Sequence, residues 1–215
     1  MSMEHYRAAQ KAGKKDLQTR TSQKLSVEMP ALDAILEHVD ISGEVPLGLV
    51  DIPTELIVGT KTCGRASSFA PNFMPILGEN TEFAAKWSSL CDAHLKEGIR
   101  DPIVAYEYMN HYYIQEGNKR VSVLKYFDAI SIPGYVTRII PAREDTPESR
   151  IYYEFLDFYN ATNINYLFFR KAPMHILPFT LATADMNAGA WMTGFCSAPA
   201  TTALLTLSRN LAVTN

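Results

Sequence analysis

Five consecutive residues carry the clearest chemical potential: Glu116-Gly117-Asn118-Lys119-Arg120. They lie between an extended stretch, His111 to Gln115, and a helically spaced run through Val121, Val123, Leu124 and Phe127. Glycine lets backbone approach a ligand closely, and a helix start offers unpaired amides with partial positive charge. Lys119 and Arg120 place two cations in that first turn, against the dipole. An anion held between them and the amides would remove the conflict, and residues that break a local rule tend to mark function. In such a site Arg120 makes a forked contact, Lys119 acts as a point charge, and Asn118 caps the helix or bonds a ligand oxygen. Glu116 has three roles open to it: neutralising Arg120, holding Mg²⁺ through water, or serving as a base. A surface ion pair between Glu116 and Arg120, with a solvated Lys119, accounts for the same residues. The loop is neither GxxxxGK[ST] nor GxGxxG.

Other reactive residues are less organised. Cys63 stands between Lys61 and Arg65, which would lower its pKa, although a plain loop cysteine is the simpler reading. His94 falls on an apolar helix stripe, where a satisfied, half-buried histidine is expected, and His111 sits beside a turn. Neither histidine pairs with Cys63, Cys91 or Cys196 at metal-ligand spacing, so no metal centre is expected. Tyr106, Tyr108, Tyr112 and Tyr113 alternate over two strands, where packing is the default and base stacking the minority reading.

The elements that must position the loop can be read from periodicity. Asn80 to Gly98 is the clearest helix, with Phe83, Trp87, Leu90, Cys91, His94 and Leu95 as its stripe and Gly98 as its stop. Pro102 to Tyr108 and His111 to Gln115 form a hairpin about Met109-Asn110. A strand from Gly134 to Ile140 follows an Ile132-Pro133 turn. Thr146-Pro147 opens a helix through Ile151, Tyr152, Phe155, Leu156 and Tyr159. Earlier, Pro30 to Val39 is helical in spacing, a loop runs through Gly43, Pro46 and Gly48, and short extended pieces follow at 49–53 and 56–58. The resulting divisions are a basic arm at 1–24, a helical lead-in at 25–49, an α/β domain at 50–140, a helix within 141–172, and a charge-poor tail at 173–215.

With 20 Lys and Arg against 23 Asp and Glu, the formal net charge is −3, so any anion site is local. The exception is residues 1–24, where Arg7, Lys11, Lys14, Lys15, Arg20 and Lys24 face only Glu4 and Asp16. This segment reads as a solvated helix or frayed arm with too few apolar positions for a strong face, and contact with DNA or another nucleic acid, or with a membrane, is the minority reading. Unpaired cysteine spacing and the absence of an apolar leader in residues 1–10 give a cytoplasmic expectation. After Ala172 only Asp185 and Arg209 are charged. Asn187, Pro199 and several Thr and Gly speak against a membrane span there, and the tail is read as irregular, with dimerisation as one use.

The run from Ile52 to Val136 resembles the ParB/sulfiredoxin superfamily. Ile52-Pro53-Thr54-Glu55-Leu56-Ile57 is similar to its opening "IPxxxI". The segment from His94 to Val104 resembles its "IxxxGxxxPIxV". Tyr112 to Arg120 resembles its "YxxxxGxxR", and Ile132-Pro133-Gly134-Tyr135-Val136 its closing "IPvxV". The resemblance implies an α/β (α+β) fold with a small mixed sheet and packed helices. It also implies a nucleotide pocket for CTP or ATP with Mg²⁺. Carried over by position, phosphate contacts fall on Gly117, Asn118, Lys119 and Arg120, with Arg65, Thr60, Lys61 and Thr62 on the opposite wall. Glu116 holds the place of a catalytic acidic residue in a kinase branch, which makes an NTPase or small-molecule kinase the enzymatic expectation. Asn118 stands where the sulfiredoxin branch has cysteine, so sulfinic-acid reduction is not expected. The alternatives are a nucleic-acid-associated regulator and an interaction domain without chemistry.

Overall fold

The structure is a computed structural model and describes residues 2–162, with the side chains of Ser2, Arg65 and Thr162 left aside. The expectations for the tail at 173–215 lie outside the described residues. The order of elements is α1 (Ser2–Ser22), α2 (Leu32–Leu36), β1 (Ile41–Pro53), a 3-10 turn (Thr54–Leu56), β2 (Ile57–Thr60), α3 (Cys63–Ala66), α4 (Glu82–Glu97), β3 (Ile103–Tyr108), β4 (His111–Glu116), α5 (Asn118–Tyr126), β5 (Ser131–Pro141) and α6 (Pro147–Thr162). The five strands form one mixed sheet in the order β1-β5-β3-β4-β2. This is the expected mixed α/β fold.

The hairpin forms as expected. Met109 and Asn110 both take positive φ, 50° and 63°, the geometry whose twist matches flanking strands. β3 pairs antiparallel with β4 and parallel with β5, while β2 runs parallel to β4. One sheet face carries Ile52, Ile57, Ile103, Ala105, Ile114, Ile132 and Val136, packed with Val121 and Leu124 of α5. The other face buries Tyr113 and Ile139 against Leu32.

α4 starts at the Thr81 cap, whose Oγ1 accepts from Ala84 N at 3.2 Å, and stops at Gly98 with φ 76°. Trp87 is fully buried and donates from Nε1 to Ser122 Oγ at 2.9 Å, which locks α4 to α5. Leu95, expected on the buried stripe, is 52% exposed.

Four expectations need correction. The arm at 1–24 is helical, one of its two expected states, but docked rather than solvated. Tyr6 and Ala9 are wholly buried, Tyr6 meets Trp87 edge-on at 5.5 Å, and Tyr6 OH donates to Leu77 O at 2.8 Å. Gly13 completes the seam, because a Cβ there would stand 2.8 Å from Pro75 O. One aromatic and two small residues thus anchor a helix whose mean polarity hides its face. The expected loop through Gly43, Pro46 and Gly48 is part of β1, a mostly exposed edge strand. Edge strands tolerate proline, and shifts in register at Ile41/Gly43 and Pro46/Gly48 absorb these residues. Ile132-Pro133 likewise lies inside β5 rather than before it, and α2 is shorter than Pro30–Val39.

Candidate functional site

β2 and β4 run parallel, with Thr60 opposite Ile114, and Lys61 N donates to Ile114 O at 2.9 Å. Both chains therefore leave the sheet at the same end. One enters α3 after Thr62 and the other enters α5 after Gly117. Crevices beyond the carboxyl ends of strands, lined by helix starts, are where open α/β sheets take ligands. The topology thus brings the chain after Thr60 and the chain after Glu116 to the same end of the sheet.

Gly117 is required here on two grounds. Its φ is 95°, and a Cβ would approach Ile103 Cγ2 to 2.7 Å. The glycine lets β4 turn into α5 over the core, a packing role beside any role in ligand approach. The first intrahelical bond runs from Val121 N to Gly117 O at 2.9 Å, and no side chain caps this helix start. Asn118 is 8% exposed, and its Oδ1 is buried without a hydrogen-bond partner. Buried polar atoms are nearly always satisfied, so this atom is the site's anomaly.

The two cations separate. Lys119 Nζ stands 4.9 Å from the Phe83 ring, at the first turn of α4. Arg120 Nη1 donates to Asp101 O at 3.0 Å and Pro102 O at 2.8 Å, past the other end of α4. Its Nη2 is 3.8 Å from Glu116 Oε1, and Arg120 helps line an open groove with Leu90, Gly98, Ile99 and Asp101. Carbonyls and a ring thus answer the charge conflict that the sequence poses, without an anion shared by both side chains. Glu116 is 73% exposed at the strand end.

On the other wall, Thr60 is buried and its Oγ1 donates to Thr62 O at 2.9 Å. Thr62 precedes α3 without a side-chain cap. Lys61 Nζ pairs with Asp33 at 3.0 Å and lies 5.3 Å from the Tyr106 ring, toward α2. Arg65 belongs to α3, and its side chain lies outside the described residues. Cys63 is exposed and Cys91 buried, where burial pushes its thiol up. His94 Nδ1 accepts from Ile99 N at 3.3 Å, and its ring lies 4.9 Å from Phe127, a satisfied histidine. Among the described residues, no three His, Cys, Asp or Glu side chains gather as a metal-ligating group. None of the described helices is long and apolar enough to cross a membrane.

The sequence reading missed a buried ion pair. Glu107 of β3 and Arg138 of β5 face each other in parallel register and hydrogen-bond through Oε2 and Nε. Glu107 Oε1 also accepts from Asn110 N at 2.7 Å, and the Arg138 guanidinium lies 4.8 Å from the Tyr159 ring of α6. Burial pushes the Glu107 carboxyl up against the pull of Arg138. It also pushes the Tyr112 hydroxyl to about 12. The available signal was parity: Glu107 shares it with Ile103 and Ala105, and Arg138 with Ile132 and Val136. A charge that keeps step with core residues faces inward.

No protein-family model matches the chain, and no curated protein matches it. Among solved structures, sulfiredoxin from Arabidopsis thaliana is similar at 19% identity, over 41% of this chain and 82% of that one, with a TM-score of 0.29.

Proposed function

We propose that the chain binds a nucleoside triphosphate, CTP or ATP with Mg²⁺, and acts as a regulatory or phosphotransfer module. The phosphates lie over the start of α5. The observation that carries this reading is the buried, unpartnered Asn118 Oδ1 at an uncapped, glycine-led helix start. The parallel strands β2 and β4 bring residues 60–62 to the same end of the sheet. The amide plane of asparagine can turn over, so either a ligand donor meets Oδ1 or Nδ2 donates to a phosphate oxygen. Backbone amides of the first turn supply the remaining contacts. Arg120, held by two carbonyls, frames the site as a fixed charge, and Glu116 is the exposed carboxylate within reach of Mg²⁺ water. The resemblance of Ile52–Val136 to ParB/sulfiredoxin domains supports the same assignment.

Titration calorimetry with CTP, ATP, ADP and GTP in magnesium tests it. Heat is expected from at least one triphosphate, and none from any of the four at millimolar concentration overturns the proposal. Asn118→Asp is nearly isosteric, and its charge suits a helix start but repels phosphate. It is expected to keep the fold by circular dichroism and to weaken binding at least tenfold; unchanged affinity moves the ligand away from α5.

A further inference from the structure

We infer that the outer face of α1 is a docking surface for the phosphate backbone of a nucleic acid. At about 100° per residue, Arg7, Lys11, Lys14 and Lys15 fall within an arc of roughly 100°, opposite Tyr6, Ala9 and Gly13. Those three are buried in the protein, while all four cations are exposed. Four of the six cations of residues 1–24 therefore share one stripe of a docked helix. At a rise of about 1.5 Å per residue, the stripe from Arg7 to Lys15 is about 12 Å long.

The charges are available. Lys11, Lys14 and Lys15 make no ion pair among the described residues, whereas Arg7 also meets Glu79 at 2.8 Å. Glu4 stands in the same arc near its amino-terminal end, and the remaining acid of the helix, Asp16, is turned away and paired with Arg20 at 2.9 Å. The chain is otherwise net acidic, at −3 overall, so this row is a local exception.

Partner chemistry follows from what the stripe lacks. A helix that lies on lipid presents aromatic or large aliphatic residues beside its cations. Here the neighbouring exposed positions are Ala8, Ala12, Gln18 and Thr19. A row of cations without insertable side chains suits a polyphosphate strand, contacted without reading bases. The inference is independent of the nucleotide reading, since α1 contributes no residue to the Gly117 loop.

Fluorescence anisotropy of the full chain with a labelled duplex and a labelled single strand tests it. Binding in 50 mM salt is expected, with log affinity falling against log salt at a slope of about −3 for three to four phosphates. The Lys11→Glu/Lys14→Glu/Lys15→Glu variant is expected to lose at least tenfold in affinity with an unchanged melting curve. Lys96→Glu, on exposed α4 surface, is expected to bind as the parent does. No binding at 50 mM salt, equal binding by the triple variant, or tighter association with phosphatidylserine vesicles than with either nucleic acid overturns the inference.

Discussion

The protein contains two carboxylate–guanidinium pairs of opposite character. Glu107 and Arg138 sit on the sheet face under α6, with side-chain exposures of 1% and 6%, and hydrogen-bond directly. Glu116 and Arg120 sit at the sheet end, 3.8 Å apart, with exposures of 73% and 18%. The first pair is closed off from solvent, whereas the second leaves most of its carboxylate open to solvent. The buried pair is therefore a commitment of the fold, while the exposed pair holds Glu116 only weakly, as its proposed role requires.

The largest effect is expected where the buried pair is broken. Arg138→Ala strands the Glu107 carboxyl and removes the guanidinium from Phe155 and Tyr159. A loss of about 3–5 kcal/mol in urea unfolding is expected. A loss below about 1 kcal/mol would show that water reaches Glu107 and that the two pairs are alike.

Lys125 sharpens the comparison, because it is a half-buried cation without a carboxylate. Its Nζ donates to Ile57 O at 2.8 Å and lies 4.9 Å from the Phe73 ring. Burial lowers its pKa to about 8. Between about 8 and its ordinary value near 10.4 the unfolded chain binds the proton and the folded chain does not. Stability should therefore rise with pH through that window, and the cost of charging Lys125 is fully present below it. The rise is expected to total about 2–3 kcal/mol, smaller where water reaches Nζ. Unfolding measured from pH 7.5 to 10 in the parent and in Lys125→Met checks this, with a flatter profile expected in the variant.

The same contrast explains what could be read beforehand. α4 was legible because stripe and stop agree: Trp87 and Cys91 are buried and Gly98 ends it. The hairpin was legible because its strands alternate about a two-residue turn. The first part of β1 was not, because Gly43, Pro46 and Gly48 spell a loop locally and pairing with β5 makes them strand, whereas residues 49–53 read as extended. α1 hid for the opposite reason, since its anchor is one tyrosine and two small residues. At the site, the sequence placed Gly117 and the helix start correctly but could not tell where Lys119 and Arg120 would turn. Side chains that long are directed by tertiary neighbours, here Phe83 and the carbonyls of Asp101 and Pro102.

The smallest stability effect is expected at Glu116, and there it carries the most functional information. Its carboxylate is mostly in water and 3.8 Å from Arg120, beyond hydrogen-bond distance. Glu116→Gln should therefore change the unfolding free energy by less than about 0.5 kcal/mol. Arg120 keeps its two carbonyl acceptors in the variant, so the loop keeps its shape. If the carboxylate serves a triphosphate as base or as a ligand to Mg²⁺ water, turnover or magnesium dependence falls while nucleotide affinity holds. If affinity rises instead, Glu116 acts in the free protein only as a negative charge that the phosphates must approach. A stability loss like that of Arg138→Ala would show that the exposed pair is structural, and the contrast between the two pairs would disappear.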